Sequence, residues 1–168
     1  GAEIINDISG LRFDVRMAEV AARTKSALIV MHMKGTPKDM QTGDIRYNSI
    51  TGDILTFLKT QMEYAESSGI RRESIMIDPG IGFGKTPGDN LRILRNLREF
   101  KAAGRPIVTG VSRKSFIGHL TGGLPSERME GTAAAVSSAI LNGSHVIRVH
   151  DVKFMKKVAS VADAILRA

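Results

Sequence analysis

The sequence has 168 residues, of which 42% are hydrophobic and 24% charged, so it can form one domain with a buried core. The formal net charge of +7 favours an anionic partner, while 5% aromatic residues and no Trp leave few platforms for stacking bases. We therefore expect a small anionic substrate and no nucleic acid. The absence of Cys excludes disulfides, thiolate nucleophiles and Cys-ligated zinc, and no apolar run reaches membrane-spanning length, so we expect no membrane partner.

Hydrophobic runs predict five strands that alternate with helices. The strands are predicted at residues 2–8, 27–33, 74–78, 106–111 and 145–149. The run at 27–33 is continuously apolar through Met31, which is typical of a strand covered on both faces. A polar loop containing Gly35, Pro37 and Gly43 follows it.

Apolar residues at helical spacing predict helices at residues 13–24, 50–68, 90–103, 127–141 and 152–166. In the helix at 90–103, the inward face is predicted to carry Leu91, Leu94, Leu97 and Phe100. Strict alternation of strands and helices with short connections predicts a parallel sheet, and no linker divides the chain. The sequence therefore predicts an α/β fold in a single domain over residues 1–168.

The glycine-rich segment at residues 78–85, Asp-Pro-Gly-Ile-Gly-Phe-Gly-Lys, organises the rest of the chain. Pro79 occupies the position where a P-loop needs glycine, and the dinucleotide-binding spacing of glycines also fails. A carboxylate that ends a strand before such glycines indicates backbone that turns sharply beside a ligand. A glycine-rich turn with a capping Asp is the alternative interpretation.

Polar groups follow all five predicted strands at their carboxyl ends. They are Asn6 with Asp7, His32, Asp78, residues 112–115 (Ser-Arg-Lys-Ser) and residues 148–151 (Arg-Val-His-Asp). In a parallel α/β fold those ends share one face, where active sites form. Any one group is explained better by a structural role such as a helix cap, but five at the same edge predict a common site.

The residue types at these strand ends suggest recognition of a heterocycle and an anion. Arg148 and His150 are two residues apart, so both can face one diphosphate or carboxylate. Residues 112–115 place two cations and two hydroxyls at a predicted helix start, with a solvated capping turn as the alternative. Asp78 can accept two N–H donors from a ring, and Asn6 can bind another ring edge. No metal-ligand spacing and no Ser/His/acid arrangement is recognisable.

Several motifs in chain order resemble those of dihydropteroate synthases. They are Asn-Asp-Ile at 6–8, Met-His-Met at 31–33, the glycine-rich segment at 78–85, Gly-Val-Ser-Arg-Lys-Ser at 110–115, Pro-Ser-Glu-Arg at 125–128 and Arg-Val-His-Asp at 148–151. The resemblance implies a (β/α)8 barrel that joins 6-hydroxymethyl-7,8-dihydropterin diphosphate to p-aminobenzoate. The products would be 7,8-dihydropteroate and diphosphate, in folate biosynthesis.

The resemblance also implies roles for individual residues. Asn6 and Asp78 would bind the pterin ring, Met31 would line its pocket, and Lys114 would contact it. Phe83 and Ser115 would border the p-aminobenzoate site, and Gly110 would belong to the substrate-binding surface. Arg148 and His150 would hold the diphosphate and not the pterin. The residues expected to act in catalysis are Asp78, Lys114, Arg148 and His150.

The resemblance assigns the predicted strands to positions four to eight of a barrel that usually needs about 250 residues. In that family, the loop of the first strand carries an Asn that helps to bind Mg²⁺, so the expected cofactor is Mg²⁺ with no metal ligand in this chain. The second loop and the third strand carry further substrate contacts. We therefore expect this chain alone to be inactive, and the whole enzyme to be a cytoplasmic homodimer.

Two alternatives remain at this point. A pterin-binding methyltransferase shares the barrel and the pterin-binding Asp and Asn, but its substrate carries no diphosphate. The cationic motifs at 112–115 and 148–150 therefore favour the synthase. The second alternative is an inactive pterin-binding fragment.

Overall fold

The computed structural model describes residues 1–40 and 45–168. Gly43, which was assigned to the predicted polar loop, lies outside the described residues. The described strands are β1 (Ile4–Asp7), β2 (Ala27–Met31), β3 (Ile75–Asp78), β4 (Val108–Thr109) and β5 (Val146–Ile147). The α-helices are α1 (Met17–Thr24), α2 (Ile50–Ser67), α3 (Pro87–Arg95), α4 (Ser115–Thr121), α5 (Met129–Leu141) and α6 (Val152–Arg167). Short 3₁₀ turns lie at Arg72–Ser74, Leu97–Ala103 and Pro125–Glu127.

All described strand pairs are parallel, and the predicted α/β class is confirmed. β1, β2 and β3 form one sheet in that order, while β4 and β5 form a two-stranded sheet. A single parallel bridge between Ile77 and Ile107 connects the two sheets, supported by a hydrogen bond from Ile77 N to Pro106 O of 3.0 Å. The carboxyl ends of the strands therefore point in the same direction.

The core lies between one face of the sheet and the helices. Leu28, Val30, Ile75 and Ile77 are fully buried and alternate along β2 and β3, as expected for side chains that share one strand face. They belong to a hydrophobic cluster with the helical residues Ile54, Leu58, Ala65, Ile93, Val136 and Ala139. Burial of these apolar side chains is the main force that fixes the helices on the sheet.

The predicted helix at 90–103 differs from the structure, and the N-terminal cap explains the difference. Thr86 accepts a hydrogen bond from Asp89 N, Asp89 in turn accepts one from Thr86 N, and Pro87 occupies the first turn. α3 therefore begins at Pro87, ends at Arg95 and is followed by the 3₁₀ turn Leu97–Ala103. The predicted inward position of Leu91 is wrong, since its exposure is 41%.

Other predicted boundaries were too wide. β4 and β5 each contain two residues, fewer than the predicted ranges 106–111 and 145–149. α1 begins at Met17 and not at residue 13, since Asp14 accepts a hydrogen bond from Arg16 N and forms a turn before the helix. Across residues 1–40 and 45–168, none of the helices combines the length and the apolar character needed to span a bilayer.

Candidate functional site

The register of the first three strands places Asn6, Met31 and Asp78 on one face of the sheet. Asn6 pairs with Ile29 of β2, and Ile29 pairs with Met76 of β3. Met31 and Asp78 follow these residues by two positions and pair with each other, so they share that face. It is the face opposite the hydrophobic cluster, which leaves these side chains available for a site.

Asp78 is the most deeply buried carboxylate of this face, with 1% exposure. Its Oδ1 accepts a hydrogen bond from Gly80 N at 2.7 Å, a local partner that the sequence did not reveal. Its Oδ2 lies 3.1 Å from Nη2 of Arg148 but has no aligned hydrogen-bond donor among the described residues. Asp78 therefore keeps acceptor capacity for a ligand donor.

Burial raises the pKa of Asp78 above its ordinary value, because the charged form loses its hydration. Four neighbouring groups oppose that rise and favour the carboxylate. In decreasing order of effect they are Arg148, the N–H of Gly80, Lys114 and Lys85. The protonation state of Asp78 therefore depends on the cations around it.

Arg148 connects the strand ends. Its Nη1 donates to Asn6 Oδ1 at 2.8 Å, and its Nη2 pairs with Asp78. Gly110 makes this position possible, since a Cβ at Gly110 would lie 2.7 Å from Nη2 of Arg148. The guanidinium of Arg148 thus touches both acceptors expected to bind the pterin, while its expected role in holding the diphosphate and not the pterin stays a prediction.

His150 has a different partner from Arg148. Its Nδ1 lies 2.9 Å from Ser112 Oγ, which also accepts a hydrogen bond from His150 N at 3.2 Å. His150 is exposed and Ser112 is buried, so the imidazole is held at the rim of the site. A shared anion between Arg148 and His150 stays a prediction.

Lys114 lies over the ring of Phe83, with its Nζ 4.1 Å from the ring centroid. Burial lowers the pKa of Lys114, an effect that Asp78 opposes and Arg148 reinforces. Ser115, the first residue of α4, is exposed beside Lys114. Lys114, Asp78 and Arg148 are thus close enough to influence one another, which confirms the prediction that these groups converge on one side of the sheet.

Arg113 does not contribute a free cation as the sequence suggested. Its Nε and Nη2 donate to Asp151 at 3.1 and 2.8 Å, and its backbone N–H donates to Thr132 Oγ1 at 3.0 Å. Arg113 has a positive φ of 57°, so this network holds an uncommon backbone conformation that directs the next residue, Lys114. Of the predicted basic pair, Lys114 alone lies beside Phe83 and Asp78.

The glycine-rich segment at 78–85 folds tightly against the end of β2. Gly80 has a φ of 72°, and a Cβ there would collide with the carbonyl oxygen of His32. Gly82 N donates to Asn90 Oδ1 at 2.7 Å, which anchors the segment to α3. These contacts hold the backbone between Asp78 and Phe83 in place.

Three side chains support the site in ways that the sequence did not predict: Lys85, Asn90 and Ser112, of which Ser112 was expected only as part of the anion-binding turn at 112–115. Each is buried, with exposure of 2%, 2% and 5% respectively. No periodicity marks them, because Lys85 and Ser112 lie in loops and Asn90 occupies a position usually taken by an apolar residue. The spacing of the glycines was the available signal, and it indicated the loop and not these supporting side chains.

No group of three or more His, Cys, Asp or Glu side chains at residues 1–40 and 45–168 could hold a metal ion. The described acidic and imidazole side chains therefore do not form a site that fits Mg²⁺ by themselves.

Comparisons with known proteins identify the relatives of this chain. A family model for pterin binding enzymes matches residues 1–150. The chain is 42% identical over 168 residues to the dihydropteroate synthase of Synechocystis sp., with 99% of this chain and 58% of that protein covered. It therefore spans little more than half the length of that relative.

Solved structures of dihydropteroate synthases share the fold of this chain. The Yersinia pestis dihydropteroate synthase in a sulfonamide drug complex has a TM-score of 0.94 and 36% identity, covering 98% of this chain and 60% of that one. The Thermus thermophilus synthase in complex with 6HMPPP has a TM-score of 0.90 and 39% identity, covering 98% and 65%. The same enzyme in complex with 4-aminobenzoate gives 0.90 and 40%, covering 98% and 66%. Since the family match extends over most of the sequence, this chain belongs to the family of pterin-binding enzymes.

Proposed function

We propose that this chain provides the pterin-binding part of a dihydropteroate synthase. The proposed reaction joins 6-hydroxymethyl-7,8-dihydropterin diphosphate to p-aminobenzoate. The observation that carries the proposal is the juxtaposition of a buried carboxylate, Asp78, with the cations Arg148 and Lys114. A carboxylate suits the N–H donors of a pterin ring, and the cations suit its diphosphate.

In this proposal Asp78 accepts hydrogen bonds from the pterin ring through Oδ2, and Asn6 binds a second ring edge. Met31, which is fully buried beside Asp78 in the sheet, lines the pocket with an apolar side chain. Because Arg148 already pairs with Asp78 and Asn6, it lies at the boundary between the ring and the diphosphate. Relatives solved with 6HMPPP support this assignment of ligand class.

The p-aminobenzoate site is proposed beside the glycine-rich segment. Phe83 offers a half-buried aromatic face, Lys114 lies over that ring, and Ser115 is exposed next to it. A relative solved with 4-aminobenzoate supports a binding site for that compound in this fold. This arrangement would bring the amine of p-aminobenzoate, which forms the new C–N bond, close to the proposed pterin pocket.

The chemistry requires the bond between the pterin methylene carbon and the diphosphate oxygen to break, with diphosphate leaving with the electron pair. The amine nitrogen of p-aminobenzoate forms the new C–N bond and releases one proton. Asp78 would offset positive charge that develops on the pterin, while Arg148, Lys114 and His150 would stabilise the leaving diphosphate. Mg²⁺ remains the expected cofactor of the whole enzyme, with its protein ligand expected outside this chain.

The proposal includes three further expectations for the whole enzyme: its barrel fold, its compartment and its oligomeric state. The five strand–helix units would correspond to strands four to eight of a (β/α)8 barrel, as the similarity to synthase structures supports. The enzyme would be cytoplasmic and would act as a homodimer. A methyltransferase is not favoured, because relatives of this sequence are dihydropteroate synthases and the site is rich in cations.

The test is formation of dihydropteroate by the full-length protein supplied with pterin diphosphate, p-aminobenzoate and Mg²⁺. We expect product from the full-length protein and none from the 168-residue chain alone, which spans 58% of its Synechocystis relative. A full-length protein that binds pterin but makes no dihydropteroate would exclude the synthase assignment. Turnover by the isolated chain would show that the remaining part of the barrel is dispensable.

A further inference from the structure

Lys85 is a buried cation to which the proposed reaction assigns no role. Its side chain has 2% exposure, although lysine is rarely buried without a partner. Its Nζ lies 2.9 Å from His32 Nδ1, 2.9 Å from Phe83 O and 3.4 Å from His32 O. The amine therefore joins the glycine-rich segment to the end of β2.

His32 acts as an acceptor in this contact. Burial and the neighbouring Lys85 lower the pKa of His32 to about 2, so its imidazole is neutral. While Lys85 is an ammonium it can only donate, so Nδ1 of His32 then carries the lone pair. The ring is fixed on its other sides by Phe57 and Tyr47, with centroid distances of 4.9 and 6.0 Å.

Lys85 also closes the segment that begins at Asp78. Phe83 O accepts from Nζ of Lys85, and Gly80 N donates to Asp78 Oδ1. Tyr47, which lies shortly before α2, donates from its hydroxyl to Gly84 O at 2.7 Å. This hydrogen bond also holds the glycine-rich segment. The position of Asp78 and that of Phe83 therefore both depend on this closed loop.

The ammonium group of Lys85 acts on its surroundings by charge as well as by hydrogen bonding. Asp78 and Asp89 attract it, and Lys114 repels it. Asp78 in turn faces Arg148, Lys114 and Lys85. The titratable and charged groups that matter for its effect are His32 after β2, Asp78 at the end of β3, Asp89 in α3, Lys114 before α4 and Arg148 after β5.

We propose that Lys85 is a positioning residue of the pterin site, which holds the glycine-rich segment against His32 and keeps Asp78 ionised as the acceptor for the pterin ring. The pterin part of this inference rests on the proposed function. Lys85 itself touches no ligand in this account, since the loop covers it. Its effect passes through Phe83 and Asp78.

The effect of Lys85 on pterin binding should depend on pH. Burial lowers the pKa of Lys85 to about 7, so the ammonium is present in acidic solution and is lost above neutrality. In acidic solution, protonation of Asp78 would remove the acceptor. The positive charge of Lys85 opposes that protonation and favours the Asp78 carboxylate. Replacing Lys85 by an uncharged residue should weaken pterin binding most on the acidic side of that pKa.

Lys85→Gln separates the charge from the hydrogen bonds, because the amide can still donate to Phe83 O. Lys85→Met removes both, and Lys59→Gln, at an exposed position of α2, is the matched control. The first measurement is the carboxyl pKa of Asp78 by ¹³C NMR titration of the ligand-free full-length protein. We expect Lys85→Gln to raise this pKa relative to wild type and Lys59→Gln to leave it unchanged.

The second measurement is the affinity for 6-hydroxymethylpterin as a function of pH. Lys85→Gln should bind roughly tenfold more weakly than wild type below the Lys85 pKa of about 7 and nearly as well above it. Lys85→Met should be weaker at every pH, since the loop also loses its tie to Phe83.

The two measurements have distinguishable outcomes. An unchanged Asp78 pKa in Lys85→Gln, or a glutamine variant that does not fold, overturns the role proposed for Lys85. A glutamine variant that does not fold would show that Lys85 is needed for folding and not specifically for the pterin site. A wild-type protein that binds no pterin removes the proposed function, while the NMR titration still decides whether Lys85 acts on Asp78.

Discussion

The guanidinium of Arg148 lies 3.1 Å from Oδ2 of Asp78 and donates to Oδ1 of Asn6 at 2.8 Å. These oxygens are the acceptors that a pterin ring needs in the proposed function. Arg148 therefore has two effects of opposite direction. It favours the ionised form of Asp78, but it also competes with the ring for the same oxygens.

Replacing Arg148 by Ala should change pterin binding as well as diphosphate binding. Loss of one charge-assisted contact should weaken binding of free diphosphate by roughly 1.5–3 kcal/mol. Because Arg148 is the largest influence that opposes the rise in the Asp78 pKa, the variant should protonate Asp78 at higher pH. As pH is lowered, calorimetry with 6-hydroxymethylpterin should then show the variant losing affinity at a higher pH than wild type does.

Arg16→Ala is a suitable control, since Arg16 forms an exposed ion pair with Asp14 away from the strand ends. Identical pH profiles for Arg148→Ala and wild type would show that Arg148 does not act on Asp78. Equal losses for diphosphate and for pterin at every pH would indicate that Arg148 supports the fold.

Gly110 provides an independent test of where Arg148 lies. A Cβ at Gly110 would stand 2.7 Å from Nη2 and 3.2 Å from the guanidinium carbon, so Gly110→Ala should push the guanidinium away from Asp78. Binding of the pterin diphosphate should weaken by about 1–2 kcal/mol, because one charged hydrogen bond is displaced. Surface plasmon resonance or calorimetry with that ligand measures the effect.

The matched control is Gly88→Ala, where the nearest side-chain atom, Nη2 of Arg92, is 3.7 Å from the new Cβ. Gly88 lies in α3, so alanine should keep or raise stability there. If Gly110→Ala binds as wild type does, Arg148 has room to move and its contact with Gly110 is not needed.

The buried Lys85 should make stability depend on pH. Its pKa is lowered from 10.5 to about 7, so between those values the unfolded chain binds one more proton than the folded chain. The free energy of unfolding should therefore rise with pH in this window, by up to about 1.4 kcal/mol per pH unit. The cost of holding the ammonium is fully present below the folded pKa and disappears as pH approaches the unfolded pKa.

Urea unfolding of wild type and Lys85→Met across this range isolates the contribution of Lys85, because both proteins share all other titrating groups. The difference between the two free energies should grow in favour of wild type as pH rises from about 7. Parallel curves would mean that Lys85 keeps an ordinary pKa in the folded protein.

The sequence predicted the alternation of strands and helices well because buried parallel strands form apolar runs. Ala27–Met31 and Ile75–Asp78 are such runs, and both lie within the predicted ranges. Boundaries failed where a side chain overrides the hydrophobic pattern. Thr86 and Asp89 start α3 early by reciprocal capping, and Leu91 lies outside the buried face of the helix formed by Asn90, Ile93 and Leu94.

The strand-end rule also predicted which residues meet, because parallel strands share one carboxyl edge. Asn6, Asp78 and Arg148 are in contact although 142 positions separate Asn6 from Arg148. What the sequence did not predict is how these side chains pair with one another. Arg113 binds Asp151, His150 binds Ser112 and Lys85 binds His32, and such pairings depend on tertiary distances that no local pattern contains.

Asp78→Asn tests whether the buried carboxylate is the acceptor for the pterin ring. Asparagine keeps the shape of the side chain but replaces one acceptor oxygen by a donor, so a ring N–H loses its partner. Calorimetry of 6-hydroxymethylpterin with the full-length protein should show a loss of roughly 1–3 kcal/mol. Asp163→Asn, at an exposed pair with Arg167 in α6, should bind as wild type does. Unchanged affinity in folded Asp78→Asn would contradict the assignment of Asp78 to the pterin ring.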